Sequence, residues 1–510
     1  MSPGEGYKSV TLRAKAVQKK SREIKGDYFN VVKYSSTSMI ALLFVSVSTF
    51  MLSLFKVLSP LSFDSDWSKS VSYVFLIWAA TYFATTYKQY NTLYLLSTAY
   101  LLPLALFHLG MTIPHAFGGF QSYGLENPEF GVWLEMSGWY TVLAFSSIGI
   151  GLSLTFKQTE NINTLSNKID PDYVKNIIFI NGIGLLLASA VFFILMIKSY
   201  GNILSYSRVD FFRGGADTRG LGVFMMVFPS AVLCIVLGAH KKWQKKFSII
   251  LAAFAFFFFM LSGYRSAALF PAIVGVVLWT KTGRKVPVIV AASFLVAVIF
   301  MISIVGVLRA LGPYNKIDSS AVEQSIESAS VEDTFRTMGQ TGGLLAHVIK
   351  LVPEVDPHRY GMSYLEGLRR SIPNVLPKMS ESGRQKGKEE SMYDTEAISN
   401  MVPSDWLTYR IARDKFDRGE GVGFSAIAEP YLNFGVAGVV FFFILLGYLF
   451  GQAERRSLIY YPYLLLFLCA MYWPLVRTVR NEFSNFLKPA IFILIILIVW
   501  NIALKIMPKK

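Results

Sequence analysis

The chain has 510 residues, 53% of them hydrophobic and only 16% charged, with a mean hydropathy of +0.44. Soluble globular chains carry about 25% charged residues, so a soluble fold is excluded. The net charge of +16 reads as the positive-inside bias of a membrane protein rather than as a nucleic-acid footprint.

In chain order, residues 1–35 come first, polar and basic (Lys8, Arg13, Lys15, Lys19, Lys20, Arg22, Lys25, Lys33). They are too long and too charged for the n-region of a signal peptide, so a basic cytoplasmic tail ahead of an uncleaved first helix is expected. Apolar runs able to cross a hydrocarbon core of about 30 Å then recur. They lie near 36–56, 70–87, 91–112, 131–156, 176–197, 220–239, 247–262, 266–280, 286–308, 426–450, 458–476 and 486–505. The pattern predicts an all-α polytopic membrane protein of about 12 transmembrane helices. The runs at 247–262 and 266–280 are short and share a break at Ser262-Gly263-Tyr264-Arg265. They read either as two spans or as a tight re-entrant pair, because non-helical backbone at depth survives only where protein or a watery cavity satisfies it. Cys234 and Cys469 fall inside apolar runs and read as small core residues, not as a disulfide framework or thiolate metal site.

Charge orients this threading. With the tail inside, the connections expected inside carry Lys88, then Lys157, Lys168 and Lys175, then Lys241, Lys242, Lys245 and Lys246, then Lys281, Arg284 and Lys285, then Arg455 and Arg456. Lys505, Lys509 and Lys510 end the chain. Both termini are therefore expected in the cytoplasm. The chain divides into the tail (1–35), spans one to nine (36–308), a large outer loop (309–425) and spans ten to twelve with a short tail (426–510). The loop mixes 15 Lys+Arg with 17 Asp+Glu, and long loops cross regardless of charge. It is expected to be helical: Ser363-Tyr364-Leu365-Glu366 has capping-box spacing, Pro373 stops the helix, and residues 382–390 form a tip.

The informative residues are arginines where the orientation rule predicts few. The segment 198–219 carries Arg208, Asp210, Arg213 and Arg219; the break after the seventh run supplies Arg265. Arg477 and Arg480 close the eleventh run ahead of Glu482, and the outer loop adds Arg369-Arg370, Arg410 and Arg413. A guanidinium at a membrane boundary is costly and is usually paired or functional. Its planar fork of donors suits phosphate better than the point charge of lysine. The short outer segments use Arg whereas the inner loops use mostly Lys, so an outward-facing anion site at membrane depth is expected. Asp210, Glu366, Asp405, Glu420 and Glu429 are the acidic candidates, and His347 and His358 are candidate bases. Trp406, Tyr409 and Tyr431 are candidates for stacking on sugar rings. No phosphate-binding Gly loop, zinc motif or serine-nucleophile motif is present, so no metal and no cofactor are expected.

Three stretches carry a resemblance: YSRVDFFRGGADTRG (206–220), LSGYRSAALFPAI (261–273), and GMSYLEGLRRSIPNVLPK (361–378) followed by GVGFSAIAEPYLNFGVAGVVFFFILLG (421–447). With the hydropathy, they make the chain similar to the Wzy-type O-antigen or capsule repeat-unit polymerases. The resemblance implies a GT-C-like membrane glycosyltransferase at the outer face of the plasma membrane. It would join oligosaccharide units carried on undecaprenyl pyrophosphate, alongside a chain-length regulator and a repeat-unit flippase. Outer-loop arginines are essential in that family, and Arg208, Arg213, Arg265 and Arg369 occupy the matching stretches.

Cleaving an anomeric bond to pyrophosphate needs charge stabilisation on the departing oxygens more than acid catalysis. Arg265, Arg477 and Arg480 are therefore expected to clamp the donor pyrophosphate, with Arg208, Arg213 and Arg369 on lipid-linked phosphate. Glu429 or Asp210 would orient the acceptor hydroxyl. The competing readings are an O-antigen ligase, which shares this chemistry, and a lipid-linked oligosaccharide flippase. The latter would need midplane ionisable residues and two similar halves, neither of which the sequence displays.

Overall fold

The computed structural model describes residues 36–59, 63–119, 128–155, 170–200, 219–261, 264–282, 284–294, 296–297, 331–372, 401–417, 420–456 and 458–506. The tail 1–35, the loop carrying Arg208, Asp210 and Arg213, most of the ninth predicted span and the tip 382–390 lie outside them. Among the described residues every regular element is helical. The helices are α1 (Ser36–Leu58), α2 (Trp67–Tyr90), α3 (Leu96–Leu109), α4 (Thr112–Ala116), α5 (Pro128–Leu154), α6 (Pro171–Tyr200), α7 (Arg219–Gly238), α8 (Lys242–Leu261) and α9 (Arg265–Lys281). They continue as α10 (Val331–Leu351), α11 (Met362–Ser371), α12 (Pro403–Ile411), α13 (Arg413–Asp417), α14 (Ala428–Glu454), α15 (Pro462–Arg477) and α16 (Ser484–Ile506), with a 3₁₀ turn at Thr478–Arg480.

Seven of these helices are long and apolar enough to cross a membrane, and α3 and the Val223–Gly238 part of α7 are apolar but shorter. The chain is an all-helical polytopic membrane protein. The two runs on either side of Arg265 form separate helices, of which α8 is long and apolar enough to cross a membrane and α9 is shorter. With 20 residues in α8 and 17 in α9, they rise about 30 and 25 Å at ~1.5 Å per residue. Arg284, just beyond α9, donates to the carbonyls of Val236 and Ala239 at the end of α7, where α8 begins. Both helices therefore return to one end of the bundle.

Contacts between helix ends sort the charges. At one end Glu454 ion-pairs with Lys281 and accepts the Leu96 N–H, Tyr472 donates to the Leu96 carbonyl, and Gly451 packs on Thr155. Lys175 lies beside Gly238, and Trp500 near the end of α16 donates to the Ile180 carbonyl at 3.1 Å. This is the end that carries the lysine-rich connections. At the opposite end Gly131 meets Phe63, Ser137 donates to the Gly342 carbonyl at 2.7 Å, and the Arg480 guanidinium lies 5.3 Å above the Phe107 ring. Arg265, Arg477 and Arg480 belong to this second end, where α9 starts and α15 finishes.

Small residues set how closely the helices approach, since lipid gives apolar side chains no reason to prefer protein over bilayer. At the crossing of α5 and α14 a Cβ on Gly151 would overlap the Ile444 carbonyl, and one on Gly447 would overlap that of Ile148. The amphipathic α10 uses the same device: Gly339 lies against Met111 and Gly110, and Gly342 over the His108 carbonyl. Its apolar side, including Leu345, Val348 and Ile349, is buried, which seats it on α3 and α5 at the arginine end of the bundle.

Two glycines define the entry to the site. Gly435 has φ +61° and ψ −146°, which breaks α14 near its start. The carbonyls this break frees are taken by the segment before α11: Arg359 N–H donates to Leu432 O and Tyr360 N–H to Asn433 O, both at 3.0 Å. Backbone polar groups released inside a membrane protein must find such partners. Gly361, with φ +91°, is the N-cap of α11, and no side chain caps that helix. The expected capping box is therefore absent. The Ser363 hydroxyl turns to Glu429, and Glu366 pairs with Arg370 at 2.6 Å instead of reaching back. The helix does stop where Pro373 requires: Ile372 is extended, as a residue preceding proline prefers.

Candidate functional site

Three separated stretches meet on Glu429, a buried carboxylate in the first turn of α14. One of its oxygens accepts from Ser363 Oγ at 2.9 Å and the other from the Phe483 N–H at 2.6 Å. Asn433, one turn on, donates from Nδ2 to Ser363 Oγ at 2.7 Å and accepts the Gly361 N–H at 2.9 Å. The carboxylate thus ties α11 and the 481–483 turn to the broken start of α14. A carboxylate offers about four lone-pair sites, so each oxygen keeps one.

Beside this tie lies a cationic brace. The Arg359 guanidinium stacks 5.3 Å over the Trp406 ring and donates to the Met401 carbonyl at 2.6 Å. Its other terminal nitrogen, Nη2, is buried with no hydrogen-bond partner among the described residues. Burial pulls its pKa down to about 10, with Asp356 and Glu429 opposing the drop, so the group stays cationic at neutral pH. Asp356 is itself held by Arg410 Nε at 2.8 Å and Trp406 Nε1 at 3.1 Å. Nearby, buried Glu482 accepts from Ser404 N–H, Ser484 Oγ and Asn485 Nδ2, each at 3.1 Å. Its burial raises its pKa above the ordinary carboxylate value.

Main-chain pairing joins this layer to the bundle arginines. Phe424 N–H donates to the Arg480 carbonyl and Ala426 N–H to that of Val479, while Ser425 Oγ bonds His108 Nε2 at 2.7 Å. The Phe107 ring beneath Arg480 packs 6.0 Å from Phe270 of α9, five residues after Arg265. Arg265, Arg477 and Arg480 are all half-buried at helix ends in this neighbourhood.

Other sequence candidates are placed elsewhere. The Arg369 side chain is 82% exposed and, with Arg370, turns to Glu366. Arg413 covers Tyr409 and pairs with Asp417 at 3.0 Å. The aromatic residues expected to stack on sugar are not free to do so. Trp406 is buried under Arg359, and Tyr431 is buried between Tyr140 and His358 with its hydroxyl on the Val352 carbonyl. His347 packs on Phe130 at 4.5 Å, and its burial lowers its pKa. Arg208, Asp210 and Arg213 lie outside the described residues.

Sequence reasoning missed Arg359, Asp356, Ser363 and Asn433. The available signal was DPHRYG (356–361), a charged run ending in glycine ahead of a short helix, which marks a backbone turn with an acid and a base on it.

Comparison with known proteins agrees with this architecture. The family described as O-antigen polysaccharide polymerase Wzy matches residues 37–510. A protein named Protein CapE from Staphylococcus aureus is 21% identical over 359 residues, covering 67% of this chain and 70% of that protein. No solved structure matches. The family match takes in every described helix but the first residue of α1, and so the chain belongs to the O-antigen polysaccharide polymerase Wzy family, as an integral protein of the plasma (inner) membrane that polymerises lipid-linked repeat units of a polysaccharide.

Proposed function

We propose that this polymerase joins oligosaccharide units carried on undecaprenyl pyrophosphate at the outer face of the plasma membrane, as a GT-C-like glycosyltransferase with both termini in the cytoplasm. The observation that carries the reading is the sorting of charge between the bundle's two ends. Lysine-rich connections gather at one end, and Arg265, Arg477 and Arg480 end their helices at the other, beside the Arg359 and Glu429 network. Positive residues retained on the cytoplasmic side put the arginine end outside.

In this reading the acceptor hydroxyl attacks the anomeric carbon of the donor chain and gives its proton to Asp210, the C–O bond to pyrophosphate breaks, and undecaprenyl pyrophosphate departs. Arg265, Arg477 and Arg480 stabilise the charge that develops on the departing oxygens, which fixed donors in a low-dielectric site do well. Arg359 adds its unused Nη2–H to the same anion. Arg208, Arg213 and Arg369 hold the phosphates of the second lipid-linked unit, and Asp210 orients the acceptor hydroxyl. Glu429, whose oxygens are engaged by Ser363 and Phe483, positions the elements that carry these groups. A chain-length regulator and a repeat-unit flippase would be its working partners.

The test is polymer formation by purified protein from lipid-linked repeat units, resolved as a ladder. Arg265→Ala is expected to express normally and to lose polymerisation. Full ladders from that variant would remove Arg265 from the clamp, and a single transfer to an unrelated acceptor would mark a ligase.

A further inference from the structure

We propose that α11 is a membrane-interface helix, lying along the bilayer surface at the arginine end with its outer side in the lipid. With 10 residues it is about 15 Å long, too short to cross a core of about 30 Å. Its two faces differ sharply. The side toward the protein is a stripe of small residues, Ser363, Gly367 and Ser371, all buried, and Gly367 rests against Ser484 in the first turn of α16. The opposite side carries Met362, Leu365 and Leu368, continued by Ile372 just past the helix end, and all four are exposed.

What covers that apolar side follows from its neighbours. Gly361 lies against the ring of Phe434, which is exposed, and beyond the break α14 continues with exposed Phe441, Leu445, Tyr448 and Leu449. These last four recur at helical spacing along one side of a membrane-crossing helix, so that side meets acyl chains. On α16, Leu494, Ile495, Ile498 and Val499 do the same. The outer side of α11 adjoins the ends of both spans and extends their lipid-facing surface around the rim. The polar trim suits a headgroup layer: Tyr360 is exposed, and Arg369 projects from among the apolar residues. Tyrosine favours the boundary between water and hydrocarbon, and arginine pairs with lipid phosphate. Since Ser363 on the inner side bonds Glu429, membrane docking of α11 would hold the candidate site level with the headgroups.

The test uses the full chain in nanodiscs of phosphatidylcholine and phosphatidylglycerol, with nitroxide labels on Leu365→Cys, Leu368→Cys and Ile372→Cys. The native Cys234 and Cys469 are buried and stay as they are. Phe441→Cys supplies the acyl-chain reference and Glu354→Cys the aqueous one. Oxygen collisions are expected to exceed those of a water-soluble nickel chelate at all three positions, at a depth of about 5–10 Å below the headgroups. Chelate-dominated collisions would place the face in water. Protection from both reagents would mean a protein cover, such as residues 373–402, a second copy or another protein. Either result overturns the proposal. As a check free of substitutions, a diazirine dissolved in the bilayer should label residues 362–372 of the unaltered protein as it labels the outer side of α14, and failure to do so also overturns it. No polymerisation is read, so the outcome is independent of the catalytic assignments.

Discussion

Replacing Glu429 by alanine and by glutamine separates a positioning role from direct contact with the acceptor. Alanine leaves the Ser363 O–H and the Phe483 N–H, at 2.9 and 2.6 Å from the carboxylate, without an acceptor. Each orphaned buried donor costs ~1–3 kcal/mol, about 2–6 together, a large share of the ~5–15 kcal/mol typical of a folded protein. Glutamine keeps a carbonyl oxygen for the Phe483 N–H and presents an N–H to Ser363 Oγ, so both contacts persist as neutral hydrogen bonds. Its cost is the difference between charge-assisted and neutral hydrogen bonds, about 1 kcal/mol per bond. Thermal unfolding in detergent should therefore show a small fall for Glu429→Gln and a large one for Glu429→Ala. Polymer made per folded molecule should stay within about tenfold of the parent for Glu429→Gln, because losing a general base costs more, ~10²–10⁴-fold. A well-folded Glu429→Gln protein slowed by that larger factor would refute the positioning role and put the carboxylate on the acceptor hydroxyl.

Arg359→Lys keeps the charge facing Asp356 and Glu429 but loses the planar fork on Trp406. One charge-assisted hydrogen bond to substrate is worth ~1.5–3 kcal/mol, so the KM for the lipid-linked donor should rise about tenfold or more; an unchanged KM would remove Arg359 from the anion site. Asp356→Ala strips Arg410 and Trp406 of their shared acceptor. A fully buried broken pair costs ~3–5 kcal/mol, and the partial exposure of this one lowers that to about 1–3, readable as a lower Tm. Gly435→Ala meets only His358 at 3.5 Å, so its cost is the positive-φ backbone that only glycine ordinarily adopts (φ +61°, ψ −146°), about 1–3 kcal/mol, readable as a lower Tm. His347 has its pKa lowered by burial, so its contribution to stability is full above the unfolded value of about 6.5 and fades as pH falls through the lower folded value. His347→Gln should flatten the loss of stability on acidification between about pH 6.5 and the lower folded value, and an unchanged profile there would contradict it.

The helical membrane class was legible because apolar runs of bilayer length have no other use in a chain this hydrophobic. The sorting of charge was legible because lysines cluster at connections, and helices that thread end to end alternate sides. Arg265, Arg477 and Arg480 could be singled out as exceptions to that rule. Arg359 could not, since it sits in a long loop of mixed charge, where charge carries no orientation signal. Spacing also misled where a local rule had a competitor. Ser363 and Glu366 have the separation of a capping box, yet a left-handed Gly361 already turns the chain there, and Ser363 gains more from a buried charged acceptor in another helix. Trp406 in the large loop and Tyr431 at the start of α14 look like sugar platforms but are buried where that loop packs on α14.

The arginine end of the bundle was thus determined by the sequence itself, through run length, charge and helix-terminal position, all of which are properties of short windows. Only the tertiary structure decided that a break at Gly435 would bring Glu429 onto Ser363 and Phe483, and that Arg359 would be sealed against Trp406. Those partners lie about 50 to 70 residues apart in the chain, and hydrogen bonds between such distant groups depend on where helices cross, which no local pattern encodes.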